Sequence, residues 1–450
     1  MISNFTTNIK SGKRCLITIP YNLCKNYNLK LGNIILGNIL GIEFFAFITG
    51  TNSSKRFTIP LEIFKKIPLG QIEVKIKLVS KRNPKTIITE SKIDLYNSLP
   101  NRNKQFDWPL AIVKKGSTIT VWSPQALAQI IPRYVKIDEE LFEVFGLIQG
   151  EGYKKTPIGG TRIDFVNSNK EIINKILHFF QKRLDIPSSK WSAFINYVYY
   201  PKKPKNLDHK LIDYWSRKTM IPRDSFKRVN YLGGKGIRSA KFGVLHIFIP
   251  SCVLGNICLS ILEIVEKLAV RNKKYASWFL RGLMAADGSA TLKKYKNYNT
   301  LRIAELALEN DHEKKLYFAV MKAINLKVKD YSLSSRKLCL SGWDNFLKLA
   351  QENIFKLHKV KNNKFNEGFR NHKQTRMIHK YLSPLLDGEM TLQQLLNKIK
   401  VNSKGALYQT LNIQIKRDLI KRIKKQNQYH YSLTTQGLET LKLISKISSF

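Results

Sequence analysis

The chain reads as an α+β protein: a duplicated helix-and-strand core, a small β domain before it and a compact helical domain after it. Three observations carry that reading. A strand–helix–strand phrase is written twice within the first 80 residues. A larger unit of helices and paired strands is written twice between about residues 138 and 352. From about residue 376, three helical segments, a basic hairpin and a last helix follow in close order.

The 450 residues carry 77 Lys+Arg against 32 Asp+Glu, a net charge of +45. Hydrophobic residues make up 43%, which excludes a disordered basic tail. So large a basic excess repels itself unless a polyanion neutralises it. Nucleic acid is the first partner to expect and an anionic membrane surface the second. A purely structural nucleic-acid binder, ribosomal for instance, would satisfy the charge equally well.

The five cysteines, Cys15, Cys24, Cys252, Cys258 and Cys339, are scattered and form no CxxC pair. That argues against a structural zinc site and for a reducing compartment. The N-terminal run MISNFTTNIKSGKR has no apolar signal core. Pro250 splits the longest apolar stretch, 244–262, into a buried strand and a buried helix rather than a membrane span. A soluble protein is expected, either cytoplasmic in an archaeal or bacterial nucleoid or organellar.

In residues 1–130, strand 14–20 ends in Thr18-Ile19-Pro20, and a short helix, Leu31-Gly32 and strand 34–40 follow. Strand 55–60 ends in Thr58-Ile59-Pro60, and a short helix, Leu69-Gly70 and strand 72–79 follow. This is an internal repeat. It resembles the swapped-hairpin, AbrB-like barrel, in tandem, and a generic small β domain is the alternative.

At Asp138-Glu139-Glu140 the acids sit where a helix N-terminus favours them, and an apolar helix follows. The first copy spans about 138–270: strands near 153–166, a helix at 169–184, strands near 193–200 and 240–249, and a helix at 253–268. The second spans 274–352: a helix at 274–286, strands near 289–306, a helix at 311–325, strands near 328–341 and a helix at 343–351. The order αββαββα is thus written twice. Residues 201–239 read as a loop-like insertion, with 12 Lys/Arg against 3 Asp/Glu over 202–241. Residues 353–380 read as a linker with 8 basic residues and 1 acid.

In the last domain, 375–450, helices at 376–386, 391–399 and 403–416 precede a hairpin at 419–433 and a helix at 435–446. That is the winged helix-turn-helix order. Asn402-Ser403 offers an N-cap for the third helix. Its Lys404, Tyr408, Gln409 and Asn412 would face a major groove. An ordinary helical dimerisation module is the alternative.

The chemistry lies in two matching segments: Val144-Phe145-Gly146-Leu147-Ile148-Gln149-Gly150-Glu151-Gly152 and Leu280-Arg281-Gly282-Leu283-Met284-Ala285-Ala286-Asp287-Gly288. Gly146 to Gly282 and Glu151 to Asp287 are both 136 residues apart. Glycine inside a helix costs about 1 kcal/mol against alanine, so it needs a compensation. Small residues one turn apart, Gly146/Gly150 and Gly282/Ala286, let two helix backbones touch. Each acid then ends its helix, and the glycine after it can leave in a left-handed conformation. Two carboxylates side by side at the negative ends of two helix dipoles are unfavourable. An oxygen-seeking divalent cation would resolve the conflict.

These residues resemble the LAGLIDADG homing endonuclease family in its single-chain, two-motif form, over about 134–370. The stretch Arg162-Ile163-Asp164-Phe165-Val166-Asn167-Ser168-Asn169-Lys170-Glu171 looks like that family's second strand entering its next helix. Gln149 and Ala285 stand where the consensus has its first acid, and Glu151 replaces aspartate.

The resemblance implies two pseudo-twofold antiparallel sheets forming a saddle over duplex DNA, with major-groove recognition. Lys154, Lys155 and Arg162 in the first half, and Lys293, Lys294, Lys296 and Arg302 in the second, are the candidate contacts. Glu151 and Asp287 would bind Mg²⁺ (or Mn²⁺) over the minor groove, and both strands would be cut close together. Lys337 in the second half and Lys241 or Lys235 in the first are candidate basic catalytic residues; each taken singly reads first as a phosphate contact or solvated charge. The expected activity is Mg²⁺-dependent, site-specific double-strand DNA cleavage by a monomer, as in intron homing. An intein would need a nucleophile at residue 1 and a terminal Asn, where this chain has Met1 and Phe450. The rival is a non-catalytic binder on the same saddle, either a transcription regulator or an RNA-splicing maturase that binds intron RNA. The retained acid pair favours cleavage, whereas the flanking domains favour the rival.

Overall fold

The computed structural model describes residues 2–10, 15–79, 87–89, 91–100, 110–123, 126–152, 162–199, 206–233, 241–295, 297–329, 336–399 and 403–448. They form an α+β architecture of small sheets. The chain divides into two compact units, residues 1–141 with 152–264 and residues 142–151 with 265–450.

The doubled N-terminal phrase folds as two interleaved copies. Its strands are β1 (Ile2–Ile9), β2 (Leu16–Thr18), β3 (Ile34–Ile39), β4 (Ile42–Phe47), β5 (Thr49–Gly50), β6 (Lys55–Thr58) and β7 (Gly70–Leu78). Two short helices, α1 (Tyr21–Asn26) and α2 (Leu61–Phe64), follow Pro20 and Pro60, which share φ −53° and ψ 137°. Each proline lacks an N–H and so ends its strand's ladder. The copies pair with each other: β2 with β6, and β3 with β7. Ile19 N–H donates to Lys55 O and Ile59 N–H to Cys15 O. Since 19 + 40 = 59 and 15 + 40 = 55, these are one bond exchanged between copies. Ile17, Ile35, Phe57, Ile59 and Val74 meet in a shared core.

Next come β8 (Ile88–Thr89), β9 (Lys92–Asp94), α3 (Leu95–Ser98), β10 (Ala111–Lys115), β11 (Thr118–Ser123), β12 (Ala126–Pro132) and β13 (Tyr134–Lys136). β10, β11 and β12 form an antiparallel meander, while β13 and β8 flank β9. Buried Asp94 caps α3 through Tyr96 N–H and accepts from Arg133 Nε at 2.9 Å. β13 (Tyr134–Lys136) pairs with β9 across some forty residues, so strand pairing in this region continues past residue 130.

The first copy of the core unit holds α4 (Glu139–Glu151), β14 (Ile163–Asn167), α5 (Lys170–Leu184), β15 (Ser192–Tyr199), α6 (Leu207–Lys218), β16 (Phe226–Gly233), β17 (Val244–Ile249) and α7 (Cys252–Ala269). Asn169 caps α5, and Arg183 in its last turn donates to Asp138 at 2.6 Å and Glu140 at 2.8 Å. The sheet runs β14-β17-β15-β16, and Gly152 bridges to Phe165 beside β14.

Two expectations fail here. The insertion 201–239 is not loop-like over its described residues, 206–233, which contain α6 and β16. Leu207, Leu211 and Trp215 recur every four residues and bury one stripe of α6. The Trp215 indole donates to Phe242 O at 2.8 Å. The sheet is also not wholly antiparallel, because β16 runs parallel to β15.

The second copy follows the expected order: α8 (Lys273–Ala286), β18 (Gly288–Lys294), β19 (Asn299–Ala307), α9 (Asp311–Ala323), β20 (Val328–Lys329), β21 (Lys337–Leu340) and α10 (Trp343–Gln351). Its sheet runs β18-β19-β21-β20, all antiparallel. Asn272 and Asn310 cap α8 and α9. The stretch read as a linker is instead α11 (Lys359–Arg370) and most of α12 (Lys373–Leu382). Phe365 and Phe369 bury one face of α11, and Phe365 stacks on Phe355 at 4.9 Å.

The chain closes with β22 (Met390–Thr391), α13 (Leu392–Ile399), α14 (Lys404–Lys416), β23 (Ile420–Lys425), β24 (Gln428–Leu433) and α15 (Thr435–Ser448). Ser403 caps α14 as expected, accepting from Ala406 N–H. Gln426 (φ 46°) and Asn427 (φ 61°) make the left-handed turn that a two-residue hairpin needs. β22 adds a third strand beside β24.

Candidate active site at two paired helix ends

Within the second unit, α4 and α8 meet backbone to backbone. A Cβ added to Gly146 would lie 2.3 Å from Phe279 O and 3.0 Å from Gly282 Cα. One added to Gly282 would lie 2.2 Å from Glu143 O and 2.7 Å from Gly146 Cα. At Gly150 it would lie 2.4 Å from Ala286 Cβ and 3.0 Å from Asp287 Oδ2. The three glycines are therefore required by contact, and Ala286 is the neighbour that Gly150 faces. Phe142 stacks on Tyr275 at 4.6 Å beside this seam. Buried Glu143 is paired with Lys356 at 2.9 Å and Arg281 at 3.5 Å.

The seam delivers both acids to one place. Asp287 ends α8 with φ −94° and ψ −1°, and its carboxylate reaches the last turn of α4. Gly288, which follows Asp287, is not left-handed as expected, since its φ is not positive. Gly288 is required by proximity instead, since a Cβ there would lie 2.5 Å from Met284 Cα. Burial first, and then the charge of Asp287, push the Glu151 carboxyl up to about 7, while Lys361 pulls the other way.

Lys361 is the residue that sequence reasoning missed. Its Nζ donates to Met284 O at 3.3 Å, Ala285 O at 2.8 Å and Ala286 O at 2.6 Å. These carbonyls end α8 and have no partner further along the helix. Burial lowers the Lys361 ammonium to about 8, and Glu151 and Asp287 oppose that shift. A signal was present: Lys361, Phe365 and Phe369 recur every four residues, which places a lysine on the apolar stripe of a basic helix.

The other candidates are placed as follows. Lys337 pairs with Glu305 at 3.2 Å. Lys241 is exposed and lies 5.4 Å from the ring centre of Phe242. Lys154, Lys155, Lys235 and Lys296 fall outside the described residues. Arg162 is held by buried Asp164 at 2.6 Å, lies over Phe248, and shares Asp164 with His246. On the same face of that sheet, Arg228 lies over Phe194 at 5.6 Å. Lys293, Lys294 and Arg302 are exposed on β18 and β19, with Lys293 over Tyr295 at 5.2 Å. Lys404, Tyr408 and Gln409 are exposed on α14, whereas Asn412 is half-buried. Arg422 of β23 donates to Tyr408 Oη at 3.0 Å and lies over Tyr429, which ties α14 to the hairpin.

Among the described residues no group of three or more His, Cys, Asp or Glu side chains is placed to hold a metal. No helix among them is long and apolar enough to cross a membrane. No family model matches the chain, and no curated protein matches it in sequence.

Proposed function

We propose that the chain is a LAGLIDADG-type, site-specific double-strand DNA endonuclease that uses Mg²⁺ or Mn²⁺. One observation carries this reading: two helices in backbone contact bring Glu151 and Asp287, one from each repeated motif, to a common end. A purely structural helix pair has no need of two acids there, at the negative ends of both dipoles.

The donors suit a hard cation. They are two carboxylates beside helix-end carbonyls, all oxygen. Burial first, and the neighbouring Asp287 charge second, make the ionised form of Glu151 costly, and a cation held there would favour it. Glu151 and Asp287 would hold the cation, which would acidify a water and offset charge on the phosphodiester being cut. With only two carboxylates, water and phosphate oxygens would complete its shell. The chain's own part is to fix both acids against a rigid seam and exclude solvent from Glu151. The acids come from one chain, so a monomer suffices.

Binding falls to the basic surfaces. The Arg162/Arg228 face of the first sheet and the Lys293/Lys294/Arg302 region of the second are suited to grip phosphates and read base edges. The last domain reads as a winged helix-turn-helix, with Lys404, Tyr408 and Gln409 toward a groove and Arg422 on the wing. The N-terminal interleaved repeat fits an AbrB-like DNA-binding unit. Affinity should fall steeply with salt.

The test starts from a duplex that the full-length protein selects out of a randomised pool in EDTA. Wild-type protein should cut it on adding Mg²⁺, while Glu151→Gln and Asp287→Asn should bind it and leave it whole. Should the selected duplex survive wild-type protein in both Mg²⁺ and Mn²⁺, the nuclease reading is wrong. The second reading, a regulator or maturase on the same saddle, draws support from Lys361, whose ammonium already compensates the acid pair.

A further inference from the structure

We propose that Lys361 is the resident cation of the Glu151/Asp287 pair, and that a divalent metal binds there only by displacing its ammonium. The inference rests on the proposed metal site and adds to it a built-in competitor. Three observations support it. First, an ammonium has three donors, and Met284, Ala285 and Ala286 carbonyls take all three. Lys361 is thus seated on the end of the same helix that carries Asp287, within reach of the charge of both acids. Second, with both acids ionised, the two carboxylates and one ammonium sum to −1, and exchanging the ammonium for a divalent cation brings the sum to zero. Two carboxylates with both cations present would leave an excess of +1 in a half-buried site, so electrostatics favour exchange over joint occupancy.

Third, α11 is anchored away from this lysine. Phe365 and Phe369 are buried, and a Cβ at Gly368 would lie 2.4 Å from Leu292 Cδ2, so this part of the helix is pressed on β18. Asn299 Nδ2 donates to Glu367 Oε1 at 2.8 Å, and Asn371 Nδ2 donates to Asn299 O at 3.0 Å. Lys361 itself lies in the first turn, beside exposed Val360 and capping His358. Its four-carbon arm can withdraw to solvent while the helix stays seated.

The test is Mn²⁺ binding by the full chain, read from the loss of the free Mn²⁺ electron-paramagnetic-resonance signal. Lys361→Met should bind Mn²⁺ at least about ten-fold tighter than wild type, and Lys361→Arg should remain within about three-fold of it. A companion measurement on wild type alone covers a variant that fails to fold: acetylation of Lys361, followed by mass spectrometry, should be slow in EDTA and faster in saturating Mn²⁺. Equal Mn²⁺ affinity in wild type and Lys361→Met, or unchanged acetylation, overturns the inference and leaves the metal site standing. If neither protein binds Mn²⁺, both the inference and the metal site fall. If Glu151→Gln/Asp287→Asn retains wild-type Mn²⁺ affinity, the ion is bound elsewhere and the inference falls.

Discussion

The two core sheets differ in what was added to them. The second, β18-β19-β21-β20, is the bare pattern, and its edge strand β20 has two residues. In the first, β14-β17-β15-β16, the corresponding edge carries β16, a parallel strand supplied by the insertion with α6. With the inserted β16 set aside, the inner order is the same in both: the last strand lies between the two that precede it. An insertion is thus absorbed at an edge, where unpaired backbone groups await a partner, without disturbing the centre. The cations differ as well. Arg162 is locked to buried Asp164, which His246 also contacts, whereas Lys337 makes an exposed pair with Glu305.

If the insertion is part of the first sheet's fold, its anchor should matter most. Trp215→Ala removes a buried indole and its bond to Phe242 O, and should cost about 4 kcal/mol in chemical denaturation. A cost near zero would make α6 an ornament. The bare second copy depends instead on its seam. Gly282→Leu drives a side chain into Glu143 O and should cost about 3 kcal/mol by overpacking, read as a lower melting transition of the second unit.

The two cation settings give a graded contrast. Asp164→Asn should cost about 2 kcal/mol, because it weakens hydrogen bonds from a guanidinium and a histidine to a buried carboxylate. Glu305→Gln should cost about 0.5 kcal/mol, as expected for an exposed pair. Equal costs would erase the distinction between the sheets.

The smallest effect is a pH dependence in the second unit. Burial, then Arg376 and Arg417, hold the His372 imidazole below its ordinary 6.5. Its neutral Nδ1 accepts from Gln374 N–H to cap α12. A lowered folded pKa on a base means stability that is present above 6.5 and lost as pH falls through the folded value. Melting of the second unit should therefore drop between about pH 7 and 5 in wild type. His372→Asn, which caps without titrating, should flatten that part of the drop.

What could be read from residues alone follows from how local each signal is. Gly146/Gly150 and Gly282/Ala286 declare a helix seam because a mid-helix glycine needs a reason. Pro20 and Pro60 mark a repeat because each forces the same break. Ser403 announces the start of α14 through its own side chain. The insertion was misread because 12 basic residues obscured Leu207, Leu211 and Trp215, whose spacing is helical. β13 escaped because its partner β9 is distant and both are three residues long. Lys361 escaped because only the fold brings the first turn of α11 to the end of α8.

The most direct measurement is strand scission of the selected duplex, with each strand end-labelled in turn. Wild-type protein in Mg²⁺ should cut both strands at positions a few nucleotides apart. Loss of either Glu151 or Asp287 should abolish double-strand cutting without loss of binding. Two intact strands under wild-type protein, or unchanged cutting by Glu151→Gln with Asp287→Asn, would contradict the nuclease reading.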